Sequence, residues 1–323
     1  MPDTVSKIQV HILLATYNGA RFLREQLASI TKQTHSNWTL TISDDGSTDQ
    51  TLDILSQFQK TAPQKIKIMS GSMSTRGSTE NFLRLIQQVR TATFNDLFAF
   101  CDQDDVWLPD KLTRAVEWHS TNLSDSVRLY CARTLYVNEQ LKPIGLSNNW
   151  NNPPSFGNAL VENIASGNSM VMSHALIEAL QHINPRHSVW HDWTTYLVAT
   201  ALNGSVKFDN NPCLLYRQHS FNVIGSNVGL KRLLIQLPSI ILGRYRLWAD
   251  LTELAVIDIK HFLPESNAKI FSDFQLMRYS SGIHIRIKIF ILSSIRRQKF
   301  FANVGLIFLL LLKSKKISNP PSN

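Results

Sequence analysis

Three carboxylates, Asp102, Asp104 and Asp105, follow directly on the apolar run Leu97 to Cys101. A short apolar run bounded by polar residues reads as a buried strand. Open α/β sheets bind their ligands at the carboxyl ends of such strands. Asp102 and Asp104 are two residues apart, so in extended backbone both point to one face. Two carboxylates on one face repel each other unless a cation lies between them. A hard divalent ion with oxygen ligands is the natural occupant, magnesium or manganese for a site of this kind. Asp105 fits a cap for the helix that begins near Pro109.

Two more groups stand at the ends of earlier apolar runs. Ile8 to Ala15 ends in Thr16-Tyr17-Asn18-Gly19, a turn signal, and Trp38 to Ser43 ends in Asp44-Asp45-Gly46-Ser47-Thr48-Asp49. An aromatic ring with a carboxylate can hold a pyrimidine base, one by stacking and the other by accepting the imide N–H. With a divalent metal at the Asp cluster to hold a diphosphate, the set points to a nucleoside-diphosphate substrate. Taken singly, Tyr17 reads equally as a packing residue, and Asp44 or Asp45 as a turn former.

These groups need a sheet to bring them together, and the pattern supplies one. Apolar runs at 8–15, 38–43, 66–69 and 97–101 alternate with helical spacing at Leu23/Leu27/Ile30, Leu52/Leu55/Phe58 and Phe82/Leu85/Ile86/Val89. The order β-α-β-α-β-α-β predicts a right-handed parallel sheet with helices on both faces. A helix over 109–122 follows, then a strand over 127–137, a long polar loop over 138–158 and a short strand at 169–172. Helices are expected over 174–182 and from Val189 to Ala201, with short strands at 206–208 and 213–216. No G-x-G-x-x-G and no phosphate-loop lysine follows the first strand, which weighs against a dinucleotide or P-loop site. The acidic runs also miss the spacing of a calcium-binding loop.

Charge is unevenly spread. The chain of 323 residues carries a net +9, but residues 230–323 hold 15 Lys and Arg against 5 Asp and Glu, leaving the front near neutral. This divides the chain into 1–229, carrying the chemistry, and 230–323, a basic helical extension. Val304 to Leu312 is apolar but too short to span a bilayer. Flanked by Arg296, Arg297 and Lys299 and by Lys313, Lys315 and Lys316, it reads as an interfacial segment, or as a helix packed on the front. A nucleic-acid enzyme would place its cations around the acids rather than in the tail, which argues against a nucleic-acid partner. The three cysteines show neither metal spacing nor an even framework, and the N-terminus has no signal-peptide pattern, so a cytoplasmic setting is expected.

The motifs ATYNG, QT, DDGSTD and DQDDVW, in this order, resemble glycosyltransferase family 2 and its GT-A fold. Ser166-Gly167-Asn168, His191-Asp192-Trp193 and Tyr216 to His219 add a likeness to bacterial rhamnosyltransferase-like members. The resemblance covers about 8–229. It implies a Rossmann-like, mixed and mostly parallel sheet with flanking helices, and an inverting, metal-dependent sugar transfer.

Carried to this chain, the likeness implies that Thr16, Tyr17 and Asn18 shape the base site, with Tyr17 stacking. Asp45 would bind the imide, and Asp44 would support the loop or the sugar. Asp102 would lie near the ribose or metal, Asp104 would be the metal ligand, and His219 would lie near the diphosphate or metal with Arg217 beside it. Arg76 lies in a loop that closes over the donor in family members, and Trp107 and Trp193 would line the acceptor site or pack. Asp192 would be the general base, kept ionised by its place at a helix start. The implied donor is a nucleoside-diphosphate sugar, dTDP-L-rhamnose first. The implied acceptor is a saccharide, lipid-linked, at the inner face of the membrane. A non-catalytic nucleotide-sugar binder is the alternative.

Overall fold

Residues 10–16 alternate their side chains to two sides, and both sides are apolar. Val10, Ile12 and Leu14 join one buried cluster, while Leu13 and Ala15 join the other. A strand buried on both faces belongs at the centre of a helix-covered sheet, and that is where this one lies. The computed structural model describes residues 7–62, 65–69, 77–90, 93–219 and 230–311. Arg76, the loop after the third strand, the loop before residue 230 and the basic end beyond 311 lie outside the described residues.

The main sheet has seven strands in the order β10-β6-β9-β4-β1-β2-β3. They are β1 (Val10–Thr16), β2 (Trp38–Asp44), β3 (Ile66–Ile68), β4 (Leu97–Cys101), β6 (Arg128–Ala132), β9 (Val171–Ser173) and β10 (Ser205–Asp209). All neighbours are parallel except β9, which runs antiparallel to both β4 and β6. The sheet is therefore mixed and mostly parallel. A second sheet, β5-β11-β7-β8, joins β5 (Val106–Trp107), β11 (Leu214–Arg217), β7 (Leu135–Val137) and β8 (Pro143–Leu146). The run expected as one strand over 127–137 is thus two strands in different sheets. The break falls at Arg133 and Thr134, whose backbone bonds go to Asp209, Cys213 and the Ser147 side chain instead.

The helices are α1 (Leu23–Thr31), α2 (Thr51–Gln59), α3 (Ser78–Gln87), α4 (Lys111–Thr121), α5 (Phe156–Ala159), α6 (His174–Gln181) and α7 (His191–Ala201). Four more follow: α8 (Leu230–Asp258), α9 (Glu265–Tyr279), α10 (Ile283–Leu292) and α11 (Phe300–Leu311). The basic extension is built into the body. Val256, Phe271, Phe274, Met277, Phe290 and Leu306 belong to the same buried cluster as Phe82, Phe98 and Phe100. Among the described residues no helix is long and apolar enough to cross a membrane.

Register sets where the chemistry lies. The last pair between β1 and β2 is Thr16 with Asp44, and Leu14 pairs with Cys101 at the end of β4. The three polar turns after these strands therefore leave the sheet at one edge. In the second sheet β11 runs antiparallel to β5, with Leu215 opposite Val106. That pairing lays Arg217 and His219, at the end of β11, beside Asp104 and Asp105, just before β5.

Candidate active site

The first two turns are woven together. Asn18 takes a left-handed conformation (φ 46°), which Asn tolerates better than most residues. Its Oδ1 accepts from Thr48 N at 2.8 Å, and its own N–H donates to Ser47 Oγ at 2.9 Å. Asp44 is buried, and its carboxylate accepts from Thr16 Oγ1 (2.8 Å), Ser47 Oγ (2.6 Å), Ser47 N (2.8 Å) and Gly46 N (3.1 Å). Both its oxygens are taken up in holding the loop. Asp45 sits next to it, with Oδ2 accepting from Gly77 N at 3.1 Å at the start of α3. Tyr17 stands at the rim, 54% exposed, with its ring open to a ligand.

Gln103 ties these turns to the acid loop. Its amide accepts from Tyr17 N and donates to Tyr17 O, both at 2.9 Å. A Cβ on Gly19 would fall 2.1 Å from Gln103 Oε1, so glycine at 19 is what lets the clamp close. Sequence reasoning passed over Gln103. The available signal was its place inside the Asp102–Asp105 run.

Within the acid loop the three carboxylates divide by environment. Burial, then the charges of Asp104 and Asp192, push Asp102 up to about 7, against the pull of Lys111. Asp104 Oδ2 lies 2.8 Å from His219 Nε2, and the His219 ring stacks on Phe22 with centroids 5.2 Å apart. Asp105 is fully buried and is pushed well above the carboxylate range by that burial and by its acidic neighbours. It accepts from Asn168 Nδ2 at 2.6 Å and from Arg217 N at 3.3 Å. It does not cap the next helix, whose N-cap is Asp110 with no side-chain cap bond. Lys111, also fully buried, donates to Asn168 O and lies 4.1 Å over the Trp107 ring. Burial lowers its pKa, opposed by the nearby thiols and carboxylates.

Asp192 opens α7 and reaches the same edge, close enough to Asp102 to raise it. Its carboxylate accepts from Trp193 N at 2.7 Å, and also from Gly167 N and the Asn163 side chain. A Cβ on Gly167 would lie 2.5 Å from His191 Nε2 and 3.2 Å from Asp192 Cβ, so the turn has no room for a side chain. Burial dominates over these bonds and lifts the Asp192 pKa to about 6. Desolvation thus outweighs the helix terminus in setting its pKa, which still leaves the carboxylate ionised at neutral pH.

Three other residues of the expected set are buried. Arg217 is 1% exposed, stacks 4.4 Å from the Phe22 ring and spends Nε on Asp104 O and an ion pair on Glu25. It braces the acid loop through Asp104 O and shares the Phe22 ring with His219, so it lies beside His219 as expected. Trp107 is buried under Lys111 and paired with Leu214. Trp193 is buried, donates Nε1–H to Ala159 O at 2.7 Å and packs with Trp190 and Trp248. Trp107 is drawn into the core by the pairing of β5 with β11, and Trp193 by the packing of the first turn of α7 against α5; packing was one of the two roles open to each. The set Asp102, Asp104 and His219 is not found as a three-ligand metal centre among the described residues. What stands ready is the Asp104–His219 pair with Asp102 beside it. Magnesium and manganese are commonly held by one or two protein groups with substrate phosphates completing the shell, so the pair fits such an ion.

The sequence profile of Glycosyl transferase family 2 matches residues 11–224. The chain belongs to this family. This glycosyltransferase is 33% identical over 226 residues to the dTDP-rhamnosyl transferase RfbG of Shigella flexneri, covering 68% of this chain and 75% of that protein. It is 28% identical over 105 residues to the Escherichia coli UDP-Glc:alpha-D-GlcNAc-diphosphoundecaprenol beta-1,3-glucosyltransferase WfgD, 32% of this chain and 38% of that one. Among solved structures, S. aureus TarS 1-349 superposes with a TM-score of 0.55 at 15% identity, covering 94% of this chain and 79% of that one. The same protein in complex with UDP matches at TM-score 0.55 and 14% identity. The fold of the transferase is thus GT-A.

Proposed function

We propose that the glycosyltransferase moves L-rhamnose from dTDP-L-rhamnose, with inversion, to a lipid-linked saccharide at the inner face of the membrane, in bacterial surface polysaccharide synthesis. The observation that carries the reading is the closeness of Asp192 to Asp102, whose pKa its charge raises; it supports a base and a diphosphate site sharing one cleft. The rhamnose donor is supported by the likeness to a dTDP-rhamnosyl transferase, and the lipid-linked acceptor by the likeness to an enzyme named for a diphosphoundecaprenol substrate.

In this reading Tyr17 stacks on the thymine and Asp45 accepts its imide N–H. Thr16, Asn18 and Asp44 hold the two turns in place, and Arg76 lies in the loop beside the donor. Asp104 and His219, with Asp102 beside them, would hold a magnesium or manganese ion, whose chemistry is to neutralise charge building on the leaving diphosphate. Asp192 takes the proton of the acceptor hydroxyl as its oxygen attacks the anomeric carbon. The bond from that carbon to the diphosphate oxygen breaks, and the sugar inverts because attack and departure are on opposite faces. No second nucleophile is needed.

The test is a panel of nucleotide sugars titrated with and without magnesium or manganese, on wild type and Asp104→Ala. Metal-dependent binding of dTDP-rhamnose that the variant loses is the expected result. Failure of every nucleotide sugar to bind wild type in the presence of metal refutes the reading.

A further inference from the structure

Ile291, Leu292, Phe300 and Phe301 are 63%, 74%, 76% and 86% exposed, the four highest values for large apolar side chains among the described residues. All four lie at one place. Ile291 and Leu292 end α10, Phe300 and Phe301 begin α11, and the two helices form a hairpin joined by Ser293 to Lys299. That turn carries Arg296, Arg297 and Lys299 and no acid. Arg297 is paired with Glu162 at 3.5 Å, Arg296 caps the end of α10 through Phe290 O, Ile295 O and Ile291 O, and Lys299, bonded to Asn148 Oδ1 at 3.0 Å, has no acidic partner among the described residues. Monomeric proteins seldom leave such an apolar group in water without a use for it.

The tip is held rigidly. Asn303 Oδ1 accepts from Arg297 N at 2.8 Å, and its Nδ2 donates to Arg297 O at 2.8 Å and Lys299 O at 3.1 Å. The turn is also fastened to the body. Gln298 N donates to Glu162 Oε2 at 2.6 Å, and Asn158 Nδ2 to Arg296 O at 2.9 Å. A Cβ on Gly157 would meet Ser294 O at 2.4 Å, so backbone touches backbone there. Asn158 Oδ1 in turn accepts from Tyr196 OH at 2.9 Å, on the helix that begins beside Asp192.

We propose that this hairpin tip is a membrane-docking wedge, its four apolar side chains entering the interfacial layer of an anionic bilayer while Lys299 meets lipid phosphates and the Arg296 charge adds to the field behind it. Aromatic side chains favour that layer, and cations beside them add attraction to anionic headgroups. A second copy of the chain fits less well, because a two-fold contact through this patch sets the cations of one tip against those of the other. Fastened through Asn158 and Tyr196, the wedge fixes how α7 and its Asp192 face the surface. The proposal deepens the lipid-linked acceptor reading, and its functional sense rests on that reading, while the binding itself does not.

The experiment is co-sedimentation of the full chain with vesicles of phosphatidylglycerol and phosphatidylcholine, against phosphatidylcholine alone. Wild type is expected to prefer the anionic vesicles and to be released by salt. The pair Phe300→Ser/Phe301→Ser should lower binding by at least about tenfold, since two aromatic side chains no longer enter the interface. Lys299→Gln should weaken only the preference for anionic lipid. Phe94→Ser, at an exposed aromatic elsewhere, should bind as wild type. Unchanged melting temperatures verify that the variants are folded. Equal vesicle binding by the Phe300/Phe301 pair overturns the proposal. So does loss of a dimer in light scattering with no change in lipid binding. Donor titration in solution reads the transferase separately, so a failed donor leaves the vesicle result standing.

Discussion

Two effects oppose each other at Asp192. The first turn of α7 and three hydrogen bonds favour its anion, while burial beneath the Gly167 turn and α7 favours the acid. Burial wins and brings the pKa to about 6. A base of that strength is ionised at neutral pH yet basic enough to take a proton as the acceptor oxygen develops charge. The kcat/KM profile is therefore expected to fall about tenfold per unit as pH drops below about 6. Asp192→Asn is expected to keep donor affinity and lose transfer by about 10²–10⁴-fold; retained turnover would remove Asp192 from the mechanism. The same shift has a stability consequence. Between the model-peptide value of 3.8 and about 6 the folded state holds a proton that the unfolded state has lost. Unfolding free energy thus declines as pH rises through that window. Thermal melts across it should show Asp192→Asn gaining on wild type as the pH increases.

At the scale of elements, the site depends on three strand-end turns that belong to different parts of the chain. Asn18 joins the first two, Gln103 joins the first to the acid loop through Tyr17, and Asn168 ties the acid loop to the turn that supports Asp192. Gln103→Leu leaves the sheet intact but frees the Tyr17 peptide. Donor KM should rise roughly tenfold, in line with two lost hydrogen bonds of about 0.5–1.5 kcal/mol each, with kcat little changed. An equal fall in kcat would show that the clamp does more than position the base. The four strands with apolar runs, the polar turns after them and the alternation with helices were legible, because period-two and period-3.6 patterns are local. Asp44, Asp45, Asp102 and Asp104 stood out for the same reason: acids clustered after a buried strand are visible in the linear chain. The burial of Arg217, Trp107 and Trp193 was not, since it follows from the pairing of β5 with β11 and the packing of α7 on α5, contacts between distant segments. Nor was the split of 127–137 between two sheets, which long-range bonds from Asp209 and Cys213 decide.

Taken whole, the chain changes composition at 230 but keeps one core across that point. Phe271, Phe274, Met277 and Phe290, all after 230, are at most 5% exposed and pack in the cluster that holds Phe82, Phe98 and Phe100 of the sheet side. Asn267 Nδ2 also donates to Thr200 O (3.0 Å) and Ala201 O (2.8 Å), closing the end of α7. Burying four such side chains contributes about 6–12 kcal/mol in sum, at about 1.5–3 kcal/mol each. Domains of this size are stable by only about 5–15 kcal/mol. The helical extension is thus a structural requirement of the catalytic sheet, and cutting after Gly229 would expose an apolar face that has evolved no polar cover. Residues 1–229 expressed alone are expected to lack a cooperative melt and near-ultraviolet circular dichroism, and to aggregate. The full chain should unfold in one transition that tryptophan fluorescence and far-ultraviolet dichroism report at the same temperature. A truncated chain that melts cooperatively and binds dTDP-rhamnose would show that the two parts are energetically separate despite their common core.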